Sequence, residues 1–116
     1  MSKKKHITSK NYKLYLEDIL DASIKIESYV TSLTFEHFSH YNMAIDAVTR
    51  NLMIIGEAAK NIPLDVQKNY PSVEWKKIAG FRDIIVHAYW NVSLPIIWEI
   101  VKVKIPELKR ALEKKN

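Results

Sequence analysis

The sequence predicts an all-α protein, an up-and-down bundle of four to five helices. Three observations lead there. Apolar residues recur at steps of three and four almost from end to end, and no run alternates as a half-buried strand would. Only two glycines and four prolines occur in 116 residues; Gly80, Pro63, Pro95 and Pro106 sit where helices should start, stop or bend, and Gly56, within a helix, suits close approach of a neighbouring helix. The connections between periodic segments are short, which suits helices that fold back on their neighbours.

The first helix is expected from about residue 10 to Val30. Tyr12, Leu16, Ile19, Ser23, Ile26 and Val30 form its apolar stripe, with Glu17, Asp18, Asp21 and Lys25 between them and Ser9 as the expected cap. Thr31-Ser32-Leu33-Thr34 breaks the pattern, and Thr34 is suited to cap a short helix through His40. A second long helix from Tyr41 carries Ile45, Val48, Leu52, Ile55, Ala59 and Ile62 on one face and stops before Pro63.

Residues 63–71 form a connection with room for one helical turn. A short helix is expected over 72–79, with Ser72 as cap and Gly80 as terminator. Phe81–Trp90 is a dense apolar run holding a few polar residues, and Asn91-Val92-Ser93 is a turn. Pro95 suits the first turn of a final helix bearing Ile96, Ile97, Ile100, Val103, Leu108 and Leu112, which Pro106 should kink. The apolar residues exceed what one small domain hides, which favours a homodimer or higher homo-oligomer.

Composition excludes several chemistries. Without cysteine there is no disulfide scaffold, thiol catalysis or thiolate metal site. With two glycines there is no Walker A loop or dinucleotide fingerprint, and no cofactor is expected. The net charge of +5 comes from 18 basic and 13 acidic residues. Lys3, Lys4, Lys5, Lys10 and Lys13 precede the first acid, so from Leu14 onward 13 bases balance 13 acids. The excess belongs to a basic end, read as a disordered leader over 1–9 before a single domain over 10–116. No signal peptide or membrane span is legible, which predicts a soluble, cytoplasmic protein.

Chemistry concentrates in residues 80–91, GFRDIIVHAYWN. Charged groups among apolar neighbours are costly to bury unpaired, so this cluster is a structural network or a site. On a regular helix Asp83 and His87 share a face, where the carboxylate can orient the imidazole. Arg82 and Tyr89 share another. Arg82 and His87 lie about 140° apart around the axis, so acting together requires an irregular helix or a second copy. His37 and His40, with Glu36, are the other conceivable metal ligands, but no third well-placed ligand accompanies them, and no metal site is expected. Glu57, beside Gly56 in an apolar stretch, lies off the core stripe; it suits either a salt bridge or the lining of a dimer cleft.

The segment Arg82-X4-His87-Ala88-Tyr89 resembles the Arg-X4–6-His motif of the HEPN superfamily, in the extended form of the HepT-like toxins. The stretches Asn51 to Lys60, Trp75 to Arg82, and Ile97 to Leu108 resemble that family's second helix, its lead into the motif and its last helix, in the same order. The resemblance covers roughly residues 10–112. It implies the toxin of a type II/VII-like toxin–antitoxin pair, a metal-independent endoribonuclease acting on RNA as a homodimer. It implies Arg82 and His87 as the catalytic pair and Asp83 as the supporting polar residue. Tyr89 matches the tyrosine that the antitoxin, an MntA-like nucleotidyltransferase, silences by AMP transfer (AMPylation). The superfamily also contains non-catalytic modules that dock or present substrate to a partner nucleotidyltransferase, which is the alternative reading.

Overall fold

The computed structural model describes residues 11–90 and 93–115, with the backbone alone for 88–90 and 115. The basic leader over 1–9, its Ser9 cap and the Asn91-Val92 turn lie outside the described residues. The described residues are mostly helical, and no strand occurs among them. In chain order the helices are α1 (Tyr12–Val30), α2 (Phe35–Ser39), α3 (Asn42–Ala59), α4 (Leu64–Gln67), α5 (Trp75–Ala79), α6 (Phe81–Trp90), α7 (Leu94–Glu99) and α8 (Ile105–Lys115). A π-helical turn, Ile100–Lys104, fuses α7 to α8. The all-α bundle expected from the sequence is therefore present. Its principal members are α1, α3, α6 and the composite α7–α8.

The long helices form for the reason their periodicity implies. In α1, Ile19, Ile26 and Val30 point into the core with Ala22 and Ser23, and the Ser23 hydroxyl donates to the Ile19 carbonyl oxygen at 2.8 Å. That bond satisfies the one polar group on the stripe and lets it be buried. Asn11 precedes the first helical residue. In the α3 segment all six expected stripe residues are buried, from Ile45 to Ile62. The helix stops at Ala59, short of Pro63, because Lys60 to Ile62 close as a turn and the Asn61 side-chain amide donates to the Glu57 carbonyl oxygen at 3.0 Å. α1 packs along α3, with α8 on its other side and α6 across α3.

Thr34 caps α2 as its chemistry suggests: the His37 backbone N–H donates to the Thr34 hydroxyl oxygen at 3.1 Å. Phe38 of α2 is fully buried, with its ring centroid 5.0 Å from that of Trp98 on α7, and Phe35 closes on the same indole at 6.0 Å. The short helix is thus held by aromatic packing rather than by its own length, which is below what an isolated helix needs.

Two local expectations differ from the structure. Ser72 does not start a helix; the Val73 N–H closes a turn on the Tyr70 carbonyl, and α5 begins at Trp75 with Glu74 in the cap position. Glu74 instead meets Lys104 at 3.3 Å and Lys77 at 3.4 Å, joining α5 to the π turn. The hydrogen bond and charge of Lys104, then those of Lys77, hold the Glu74 carboxyl below its usual range.

The second difference concerns Ile96 and Val103, expected on the core face of the last helix but exposed. Pro106 lacks an N–H and its ring would clash with the carbonyl four residues earlier in a regular helix. The chain widens into the π turn just before it, and so keeps Ile97, Val101 and Ile105 buried on one face while Val103 turns outward. The disturbance expected of Pro106 is present as this widened turn.

Candidate active site

The candidate site is built where α3 crosses the start of α6. Gly80 closes α5, its N–H shared between the carbonyls of Lys76 and Lys77, and α6 begins at the next residue. Phe81 and Ile85, one turn apart, bury themselves against the core and set the rotation of α6. Every residue between and beside them in 82–87 is then exposed: Arg82, Asp83, Ile84, Val86 and His87.

Gly56 fixes how near α3 comes. A Cβ there would stand 3.2 Å from the Arg82 backbone nitrogen, 3.4 Å from the Phe81 Cβ and 3.5 Å from the Ala79 carbonyl oxygen. Glycine is thus used for close approach of two helices, as its place in the sequence suggests. Alanine would improve helix propensity by about 1 kcal/mol, but the atom facing it is backbone and cannot rotate away. Gly56→Ala is expected to lower the denaturation midpoint slightly and Gly56→Val to lower it much further. A rise in both variants would show that the crossing has slack.

Glu57 follows directly, and its Oε2 lies 3.4 Å from Nε of Arg82. Of the two expectations for Glu57, the salt bridge is present, and its partner is Arg82. Both side chains are about half exposed, 57% for Glu57 and 48% for Arg82. Glu57 also lines an open groove of about 800 Å³ between α1, α3 and α6, whose walls include Tyr15, Asp46, Arg50, Met53 and Val86. This groove, and the identity of the Arg82 partner, were not legible in the sequence. The adjacency of a glycine and a carboxylate on an otherwise apolar helix was the only signal.

The other candidates separate. Asp83 and His87 share a face of α6, yet both side chains are exposed and no hydrogen bond or ion pair joins them. The expected orientation of the imidazole by Asp83 is thus not made in this chain alone, because solvent competes freely for both groups. Arg82 lies on the flank toward α3, and His87 on the opposite one. α6 is a regular helix over its whole length, so irregularity does not bring Arg82 and His87 together. Tyr89 sits two turns beyond Arg82 on the same side of the α6 backbone; its side chain lies outside the described residues.

His40 uses its ring near the end of α2, with Nδ1 3.0 Å from the Glu36 carbonyl oxygen and 3.2 Å from the Ser39 hydroxyl. Among the described residues no group of three or more His, Asp or Glu side chains is placed to hold a metal ion. Among them, too, no helix is long and apolar enough to cross a membrane.

Comparison with known proteins gives the site its context. The family model described as "Ribonuclease HepT-like" matches residues 19–114. A probable ribonuclease HepT from Thermococcus cleftensis is 42% identical over 105 residues, covering 90% of this chain and 96% of that protein. A provisionally named RNase from Methanocaldococcus jannaschii is 37% identical over 105 residues, covering 90% of this chain and 87% of the relative. Another, from Caldanaerobacter subterraneus, is 39% identical over 99 residues, covering 85% and 88%. No solved structure matches.

Proposed function

We propose that this chain, which belongs to the ribonuclease HepT-like family, is a metal-independent endoribonuclease whose active site forms when two copies meet along α6. The observation that carries the reading is the exposure of Arg82, Asp83 and His87 on one regular helix, with the arginine and histidine turned about 140° apart. A single helix cannot aim both at one phosphate. Two copies related by a two-fold axis can, each supplying Arg82 to a cleft that His87 of the partner subunit enters. Ile84 and Val86, exposed among these polar groups at 37% and 39%, give that contact apolar area to bury.

The chemistry follows from the groups. The ribose 2′-OH attacks the adjacent phosphorus, and an imidazole takes its proton as general base. Negative charge grows on the non-bridging phosphate oxygens, where a guanidinium, planar and permanently charged, can donate two parallel hydrogen bonds. The P–O5′ bond breaks, and a protonated imidazole returns a proton to the leaving oxygen. A 2′,3′-cyclic phosphate and a 5′-hydroxyl remain. Asp83, one turn before His87, supports the protonated imidazole once a partner surface removes competing water.

In a cell this activity makes the protein a toxin, restrained by an MntA-like nucleotidyltransferase antitoxin that transfers AMP to the Tyr89 hydroxyl. Tyr89 lies in register with Arg82 on α6, so a bulky anion there would compete for the guanidinium and obstruct the phosphate. Co-expression with a nucleotidyltransferase encoded beside it should yield protein heavier by one AMP per chain. Tyr89→Phe should remove that mass and restore toxicity; an adduct retained on the phenylalanine variant would place the modification elsewhere.

The direct test is cleavage of RNA by purified protein with and without EDTA. Cleavage unaffected by the chelator is expected. Absence of cleavage at any protein concentration would favour the non-catalytic docking module, and loss with EDTA would overturn metal independence.

A further inference from the structure

We infer that Glu57 is a positioning residue for Arg82, holding the guanidinium by its Nε edge so that its remaining donors face the scissile phosphate; this rests on the catalytic reading above. The pair is made across two helices, with the carboxylate oxygen 3.4 Å from Nε. Gly56, the preceding residue, brings the α3 backbone to within a Cβ contact of the Arg82 nitrogen itself. The two side chains therefore start from backbones held at a set separation. A change in one is felt by the other without intervening groups.

Three considerations separate a positioning role from a structural one. Both side chains are about half exposed, and an exposed ion pair contributes only about 0–1 kcal/mol to stability, so the fold gains little from it. A guanidinium has five N–H donors, and an ion pair made at its Nε edge leaves the terminal amino groups for a bidentate contact with a phosphate. A long arginine side chain on an exposed helix face samples many rotamers, and a neighbour that selects one of them reduces the ordering needed when substrate arrives. Glu57 carries a negative charge beside a site for a polyanion. Its effect on ground-state RNA binding is therefore unfavourable, and its benefit lies in the geometry reached at the transition state.

That combination has a kinetic signature that a structural role would lack. With a short RNA substrate under steady-state conditions, Glu57→Ala is expected to lower kcat about tenfold with KM unchanged or lower, because placement is lost while repulsion is relieved. Glu57→Gln keeps an acceptor oxygen at the same reach and is expected to recover most of kcat. Thermal midpoints of both variants should match the parent protein. A kcat for Glu57→Ala within twofold of the parent, or a loss carried entirely by a higher KM, would overturn the inference. Arg82→Ala measured in parallel separates the two levels. If it is inactive while Glu57→Ala is unaffected, the positioning role alone is wrong. If Arg82→Ala cleaves as well as the parent, the catalytic reading falls and the role of Glu57 with it.

Discussion

His87→Ala is expected to reduce RNA cleavage by at least a factor of about a hundred, and to abolish growth inhibition when the protein is expressed alone. A positioned general acid or base contributes on the order of 10²–10⁴ in rate, and no other imidazole lies on α6 to replace it. Arg82→Ala should have a comparable effect through loss of charge stabilisation, while Arg82→Lys keeps the charge but loses the planar fork and should retain only partial activity. Because both side chains are exposed, neither change should move the thermal midpoint by more than about 3 °C, as surface substitutions usually fall within about ±0.5 kcal/mol. Rates and midpoints measured on the same preparations separate catalysis from folding. If both alanine variants cleave and remain toxic like the parent protein, the catalytic assignment is wrong.

Phe38→Ala is the expected counterpart in stability. Phe38 is fully buried and its ring packs, tilted, 5.0 Å from that of Trp98, so with Phe35 it joins α2 to α7. Truncating a buried phenylalanine costs about 3–5 kcal/mol, from lost transfer energy together with the cavity left behind. A small domain has roughly 5–15 kcal/mol in total, so this one change should remove a large share. Denaturant unfolding followed by tryptophan fluorescence measures it. Phe38→Leu, which leaves a smaller void, should lose clearly less. A loss below 1 kcal/mol for the alanine variant would mean that α2 is not seated as described. The candidate site lies elsewhere, at the α3–α6 crossing, so variant protein that remains folded is expected to cleave as the parent does.

Much of this architecture was readable because helical burial is periodic. The stripe from Ile45 to Ile62 depends only on side chains recurring near 3.6 residues, and that spacing survives whatever the helix packs against. Thr34 is another such case: its hydroxyl reaches a backbone N–H three residues ahead, with no help from the rest of the fold. The failures lie where a neighbour overrides the local rule. Ser72 is an adequate cap in isolation, but the turn closed by Tyr70 and Val73 takes its place. Val103 fits the core stripe by its spacing but is exposed, within the widened turn that precedes Pro106.

The site divides along the same line. That Arg82, Asp83, His87 and Tyr89 form a polar cluster on one helix, and the angles between them, follows from identity and spacing; their proposed roles come from the family resemblance. The sequence by itself also determined that the charge excess lies at the basic end, leaving the remainder balanced. What only the tertiary structure decided is that Arg82 meets Glu57, 25 positions earlier in the chain, and that both border a groove shared by three helices. Periodicity reports which way a residue faces on its own helix. It carries no information about which residue of another helix arrives opposite, because that depends on where the cores of both helices meet and on how closely Gly56 lets their backbones approach.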